Sequence, residues 1–355
     1  MRNICQLLIG LSMLSCQSVF EKTETSSTPF PVKVVVVTMF ENGDATGDRP
    51  GEFQYWVERF PLDSIVDFPA GYRELRLNAD KGVLGVVTGV GTAKAAATTM
   101  ALGLDSRFDL SKAYWLVAGI SGVDPNDASV GSAAWAEWIV DGDLSHQIDA
   151  REIPEDWETG YIPLRLTEPY EKPVPERKEG VLYHLRPSLV DWAYQLTADV
   201  DLVDNDAIQK FRSLYTKHPN AQQPPRVLKG DQLAATTYWH GELLNEWANN
   251  WVIYWTKGSG NFVTSAMEDT GTLQSLTFLD NAGKADIRRV LVLRTASNFT
   301  MQYPGVTAAE SLSGEELRGK GYTAYIPSLE AAYRVGNVVV QELVQNWETY
   351  RDGIP

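Results

Sequence analysis

The run VKVVVVTMF, Val32 to Phe40, constrains the fold of this chain more than any other stretch. A strand with one wet face alternates apolar and polar residues. An unbroken β-branched run instead needs cover on both faces, as in the parallel sheet of an α/β protein. Similar runs recur in GVLGVVTGV (82–90), AYWLVAGISGV (113–123), NWVIYW (250–255) and RRVLVLRTASNF (288–299). Helical patterns lie between and after them: one from about Thr92, one over MEDTGTLQSLTFLDNAG (267–283), and a closing amphipathic helix over 328–350. Strands alternating with helices predict an α/β sandwich with helices on both sides of the sheet.

The chain has 355 residues, 44% of them hydrophobic, enough for one large domain. Its net charge of −15 argues against a nucleic-acid partner, because binding a phosphate backbone needs a basic face. Both cysteines, Cys5 and Cys16, fall in the opening MRNICQLLIGLSMLSCQS. This segment reads as an export signal: one arginine, a short apolar run, then small residues. MLSC resembles a bacterial lipoprotein cleavage box with Cys16 as the lipidated residue. The expected location is therefore exported, either periplasmic or lipid-anchored to a bacterial membrane. Residues 17–30 read as a flexible tether, and 31–355 as a single domain. Beyond Phe30 no apolar run is long enough to span a bilayer, so membrane contact is expected only through the lipid anchor. Prolines and charges thicken over about 151–220, which reads as an inserted surface arm.

The segment VVTGVGTAKAAATTMALGL (86–104) places Gly89 and Gly91 between a strand and a small-residue helix. It satisfies neither a dinucleotide fingerprint, which needs G-x-G-x-x-G in the first strand–turn–helix unit, nor a phosphate-binding P-loop. By themselves the glycines permit a tight turn and Ala95 to Ala97 a close helix approach. A second glycine set follows in VAGISGVDPNDASVGSAAWAEWIVDGD (117–143), then SAMEDTG (265–271) and LRTASNF (293–299).

As an ordered set these segments resemble the nucleoside phosphorylase and nucleosidase superfamily. With the early loop VVVVTMFENGDATGDRPGEFQYWVERFPL (34–62) and KGDQLAATTYWHG (229–241), the pattern is most similar to the purine nucleoside permease family. The resemblance implies a three-layer α/β/α phosphorylase/hydrolase-like fold with a central mixed, partly barrel-like sheet. It also implies a purine nucleoside as ligand and a homo-oligomer, and no cofactor.

The resemblance assigns roles residue by residue. Glu268 matches the carboxylate that holds the ribose hydroxyls, with Met267 as the apolar contact beside it; Glu268 is alternatively a helix N-terminal acid favoured by the macrodipole. Asn298 stands where nucleosidases carry the aspartic acid facing purine N7. An amide transfers no proton but can hydrogen-bond the base. Glu41, after the first strand, lies near the position of the water-activating acid, and reads equally as a solvated loop acid. Tyr238 and Trp239 are candidates to stack on the base, with Asp231 as another base contact. Gly89, Gly91, Gly119 and Ser121 are expected to floor the pocket. Arg294 reads as support for the loop at Asn298 or as a surface ion-pair partner.

Phosphorolysis needs donors for an anion. Where hexameric phosphorylases carry an arginine and a serine around the second glycine set, this chain has Val117 and Ile120. Arg49 and Thr92 remain as candidate anion ligands. The later tryptophans, at 247, 251 and 255, read as packing, His240 as structural or pocket-lining, and no metal site is visible. Three readings of function follow. The first is purine nucleoside recognition serving uptake or processing outside the cytoplasm. The second is N-glycosidic bond cleavage, by water before phosphate. The third is an inactive scaffold, disfavoured by the retained Glu268 and Asn298.

Overall fold

A computed structural model of the protein describes residues 28–176, 178–316 and 322–355, with the backbone alone at 315 and 316. The expected export signal, Cys16 and most of the tether lie outside the described residues. At the tether's end, Phe30 and Pro31 pair with Phe108 and Asp109.

Strand β1 (Val34–Thr38) is buried along its whole length. It pairs in parallel with β2 (Val83–Val87) and with the first half of β3 (Tyr114–Val123). On the other side of β3 runs β8 (Val290–Phe299), parallel and buried throughout. Shorter strands complete the centre. β4 (Ala133–Ala136) pairs antiparallel with β8, and β5 (Trp138–Asp141) pairs in parallel with β6 (Asp231–Ala234). β6 in turn pairs with β7 (Phe262–Ala266), which meets the end of β3. Since only Glu137 separates β4 from β5, the pairings return to β3 and part of the mixed sheet closes into a barrel.

Helix α1 (Thr92–Gly103) packs against α3 (Asp269–Asn281) where small residues let the backbones approach. A Cβ on Gly271 would stand 2.2 Å from the Thr92 carbonyl oxygen. The Ser275 hydroxyl donates to the Ala96 carbonyl at 2.8 Å. Helix α4 (Tyr325–Gln345) covers the sheet with Val335, Val339 and Val340, all fully buried. The expected three-layer α/β/α architecture is the one observed.

Two expectations need correction. NWVIYW is not a strand: it is the second half of helix α2 (Glu242–Thr256). Trp247, Trp251 and Trp255, four residues apart, bury together on one helix face, and Lys257 in the left-handed region ends the helix (φ 57°). The strand of this region is β7, just downstream. Residues 151–220 are also more than a surface arm. The helix Pro187–Thr197 sends Leu189, Val190 and Ala193 into the main core, and Ile208 and Tyr215 pack in a cluster with Phe299.

Candidate functional site

The carboxyl ends of β1, β3, β7 and β8 converge, which is where open α/β sheets leave a crevice for ligands. Residues at or just past those ends line a cavity of ≈ 220 Å³, among them Met39, Ser121, Met267 and Asn298. Its wall is largely apolar, with a few polar groups, as small-molecule sites are.

Four buried ionisable side chains meet beside it: Glu52, Glu268, Asp269 and Arg294. Arg294 organises the group. Its Nε and Nη2 donate to Asp269 at 3.2 and 2.6 Å, and Nη2 also reaches Glu268 at 3.2 Å. Nη1 donates to the Ile120 carbonyl at 3.2 Å. Glu268 further accepts the Gly91 and Met267 N–H groups, each at 3.2 Å. Asp269 is steadied by the Gln232 side-chain amide at 2.5 Å. Glu52 accepts the N–H of Met39 through Oε2 and that of Ile120 through Oε1, both at 2.7 Å.

One guanidinium cannot neutralise three buried carboxylates, so one of them keeps a proton near neutral pH. Burial pushes the Glu52 pKa up to about 8; Arg294 and the two backbone N–H groups oppose the rise, and Glu268 adds to it. Burial raises Glu268 as well, against the pull of Arg294. For Arg294 burial works against the charge, but Asp269, Glu268 and Glu52 outweigh it and hold the guanidinium above its ordinary range.

Gly119 is what lets the group assemble. A Cβ there would lie 2.0 Å from Met39 Cε, 2.5 Å from Glu52 Oε1 and 2.8 Å from Arg294 Nη1. Gly119 therefore lies behind the Glu52 and Arg294 side chains and does not floor the cavity. Ser121 does line it. Gly89 and Gly91 do not. With φ of 84° and 95° they make the turn that presents Val90 to the cavity, while the Gly91 N–H holds Glu268.

Asn298, 3% exposed, lines the cavity beside Tyr238 and Trp239. Its Nδ2 donates to the Tyr238 oxygen at 3.0 Å and the Phe299 carbonyl at 3.2 Å; its Oδ1 accepts from Ser297 at 2.8 Å. Trp239 packs edge-on against Trp247, with ring centroids 6.0 Å apart.

Other expected site residues stand elsewhere. Asp231 is not a pocket group. Its carboxylate accepts the Glu137, Trp138 and Asn261 N–H groups and so clamps the bend between β4 and β5. Glu41 does not line the cavity either. It accepts N–H groups from Asn42, Gly51, Phe53 and Gln54 and folds the loop that carries Glu52. Arg49 lies 4.9 Å from the Tyr325 ring centroid, exposed and outside the lining. At Thr92 the N–H donates to the Thr236 hydroxyl, and the Thr92 hydroxyl donates to the Met267 carbonyl. The first two N–H groups at the end of α1, those of Gly91 and Thr92, are thus taken by the protein's own side chains. His240 meets the Ser311 hydroxyl at 3.0 Å, and burial pushes its pKa down to about 4. No cluster of metal-ligating side chains occurs among the described residues.

Sequence reasoning passed over Glu52 and Asp269. Asp269 sits in plain view in SAMEDTG, next to the glutamate chosen. Glu52 carries a signal too, as a lone acid in GEFQYW at the loop's far end, but nothing local separates it from Glu41.

A family profile described as purine nucleoside permease (NUP) matches residues 31–355. A Candida albicans protein named purine nucleoside permease is 31% identical over 288 residues, covering 79% of this chain and 69% of that one. A probable purine nucleoside permease of Schizosaccharomyces pombe is 29% identical over 291 residues, covering 80% and 82%. Among solved structures, futalosine hydrolase of Helicobacter pylori superposes with a TM-score of 0.52 at 14% identity, covering 88% of this chain and 98% of that one. The 5′-methylthioadenosine/S-adenosylhomocysteine nucleosidase of the same organism gives 0.51 at 14%, covering 88% and 100%. At such identity the two structures speak for the fold alone.

Proposed function

This chain belongs to the purine nucleoside permease family, and on that premise we propose that its cavity binds a purine nucleoside. The observation that carries the reading is Glu268. It is a buried carboxylate on the cavity wall, braced by Arg294 and the Gly91 N–H, with Met267 next to it and Asn298 in the same cavity. A braced carboxylate suits two adjacent sugar hydroxyls, which it can accept from together. In uptake, the role is capture of nucleoside outside the cytoplasm, with residues 1–16 as the export signal. No helix among the described residues is long and apolar enough to cross a membrane.

Glu52 favours a second reading, cleavage of the N-glycosidic bond by water. The C1′–N9 bond breaks with its electron pair passing to the purine, the water oxygen adds to C1′, and a water proton passes to ionised Glu52 and on to solvent. The departing purine takes a proton from solvent, since Asn298 has none to transfer. Phosphate is not the acceptor in this reading. Arg294 donates to Glu268, Asp269 and the Ile120 carbonyl, and the Gly91 and Thr92 N–H groups at the start of α1 are taken by Glu268 and Thr236.

The test is to incubate the purified protein with inosine, guanosine, adenosine and uridine, with and without phosphate, following binding heat and free base. Purine nucleoside binding is expected, with base release independent of phosphate if Glu52 works as described. Binding without release leaves capture alone. No binding of any purine nucleoside overturns the proposal, and release that requires phosphate overturns the choice of water.

A further inference from the structure

Most polar side chains on the cavity wall are already engaged by the protein. Ser297 donates to Asn298 Oδ1 at 2.8 Å, and the Tyr325 hydroxyl donates to the Pro50 carbonyl at 2.8 Å. Asn298 spends its amide hydrogens on the Tyr238 oxygen at 3.0 Å and the Phe299 carbonyl at 3.2 Å. Ser265 differs. It is half-buried and lines the cavity, yet its hydroxyl has no hydrogen-bond partner among the described residues. Thr237 shares that property, but it is exposed. A half-buried hydroxyl with one hydrogen to give is a group kept for something that enters the cavity.

Two relationships place Ser265 at the base end of the cavity. It precedes Met267 by two residues, and both line the cavity. At the rise of a strand they stand about 6–7 Å apart, roughly the distance from a sugar to the C6 edge of its purine. Met267 is the sugar contact on the nucleoside reading above, and this inference rests on that reading. Ser265 also flanks the same glycine as Asn298. A Cβ on Gly122 would stand 3.4 Å from Asn298 Nδ2 and 3.8 Å from Ser265 Cβ. In a 6-oxopurine the edge beside Asn298 offers two acceptors, N7 and the carbonyl oxygen at C6. The oxygen stands out from the ring and reaches a short side chain first. We propose that the Ser265 hydroxyl donates to the C6 oxygen of the purine, which makes Ser265 a specificity-determining residue for 6-oxopurine nucleosides. A C–H at C6 would give it nothing to bind.

The experiment compares inosine with purine riboside, which carries a C–H in place of the C6 carbonyl. Binding is read by stopped-flow tryptophan fluorescence, before any turnover, in the wild type and in Ser265→Ala. The substitution removes one oxygen without a protein partner, so the hydrogen bonds of the fold persist. Ser265→Ala is expected to bind inosine about three- to tenfold more weakly than the wild type does, the scale of one neutral hydrogen bond. Purine riboside is expected to bind both proteins alike. The ligands also differ at N1, but that difference is common to both proteins and cancels between them. Equal losses for the two ligands overturn the proposal, and so does undiminished inosine binding by Ser265→Ala. If the wild type binds neither ligand, the nucleoside reading itself fails and this one falls with it.

Discussion

Glu41 fastens to the backbone on both sides of Glu52, accepting the N–H groups of Gly51, Phe53 at 2.9 Å and Gln54 at 2.6 Å. One acid is the mount and the other the group presented to the cavity. Glu52→Gln keeps the shape and removes the titrating carboxyl. Base release should fall by about 10²–10⁴-fold, the scale of a lost general base, while inosine still binds. Glu41→Gln loosens the loop instead, so binding and release should decline together. Initial rates set beside binding heats separate the two variants, and undiminished release by Glu52→Gln would remove Glu52 from the chemistry.

The titration of Glu52 sets a direction for pH. Only its ionised form accepts a proton from water, and its pKa stands at about 8. Base release, followed as kcat/KM, should therefore climb with pH and level off above about 8, whereas Glu52→Gln should show no such limb. Stability moves oppositely. The unfolded chain gives up this proton near the ordinary 4.5 and the folded chain holds it to about 8, so folding weakens as pH rises between those values. Thermal melts at about pH 5 and pH 8 should show the Tm of Glu52→Gln gaining on that of the wild type at the higher pH.

For Glu268 the contrast lies between ligands. Glu268→Ala should weaken inosine binding by roughly 10- to 100-fold, the scale of charge-assisted hydrogen bonds, and hypoxanthine binding far less. Calorimetric titration of both ligands decides it, and equal losses would contradict the ribose role.

How much of this was legible beforehand varies with the range of the forces involved. The valines of β1 announce a strand covered on both faces, and the small residues of α1 announce close packing; both are local patterns. Trp247, Trp251 and Trp255 spell a helix by their spacing, yet the aromatic and β-branched composition of 250–255 suggests a strand. The helix wins because all three rings reach one apolar cluster, a tertiary gain invisible in a short window. The site divides in the same way. Glu268 and Asn298 stand in motifs, whereas the exchange of roles between Glu41 and Glu52 depends on which carboxylate faces Met39 and Ile120 and which faces the loop backbone. Asp231, a plausible ligand by position, proved to be the clamp of a bent strand pair.

Asp269 makes two contacts to Arg294 and is fully buried. Asp269→Asn removes the charge of the carboxylate that takes two of the Arg294 hydrogen bonds and leaves Glu268 as the guanidinium's one direct ion-pair partner among the described residues. Urea unfolding should show a loss of about 3–5 kcal/mol, the cost of breaking such a pair from one side. A change below about 1 kcal/mol would mean that Glu268 and Glu52 alone suffice for Arg294.

Gly119→Ala adds a single methyl group where Met39, Glu52 and Arg294 already converge. The backbone of β3 is held in the sheet and cannot withdraw, so the Glu52 and Arg294 side chains must shift. Release of base should drop sharply while the fold survives, and a crystal structure of the variant should show Glu52 displaced from the Ile120 N–H. An unchanged rate would show that the site tolerates the shift.

The capped end of α1 has a consequence for what leaves the cavity. Its Gly91 and Thr92 amide hydrogens are committed to Glu268 and Thr236, and the nearby guanidinium donates to Glu268 and Asp269, so the sugar departs, on the hydrolytic reading, as free pentose. Phosphorolysis conserves bond energy in a sugar phosphate and runs readily backwards, whereas transfer to water at 55 M does neither. A helix terminus spent on the protein's own side chains would thus make the pathway a one-way valve, committing each nucleoside to breakdown and leaving its pentose to be activated afresh.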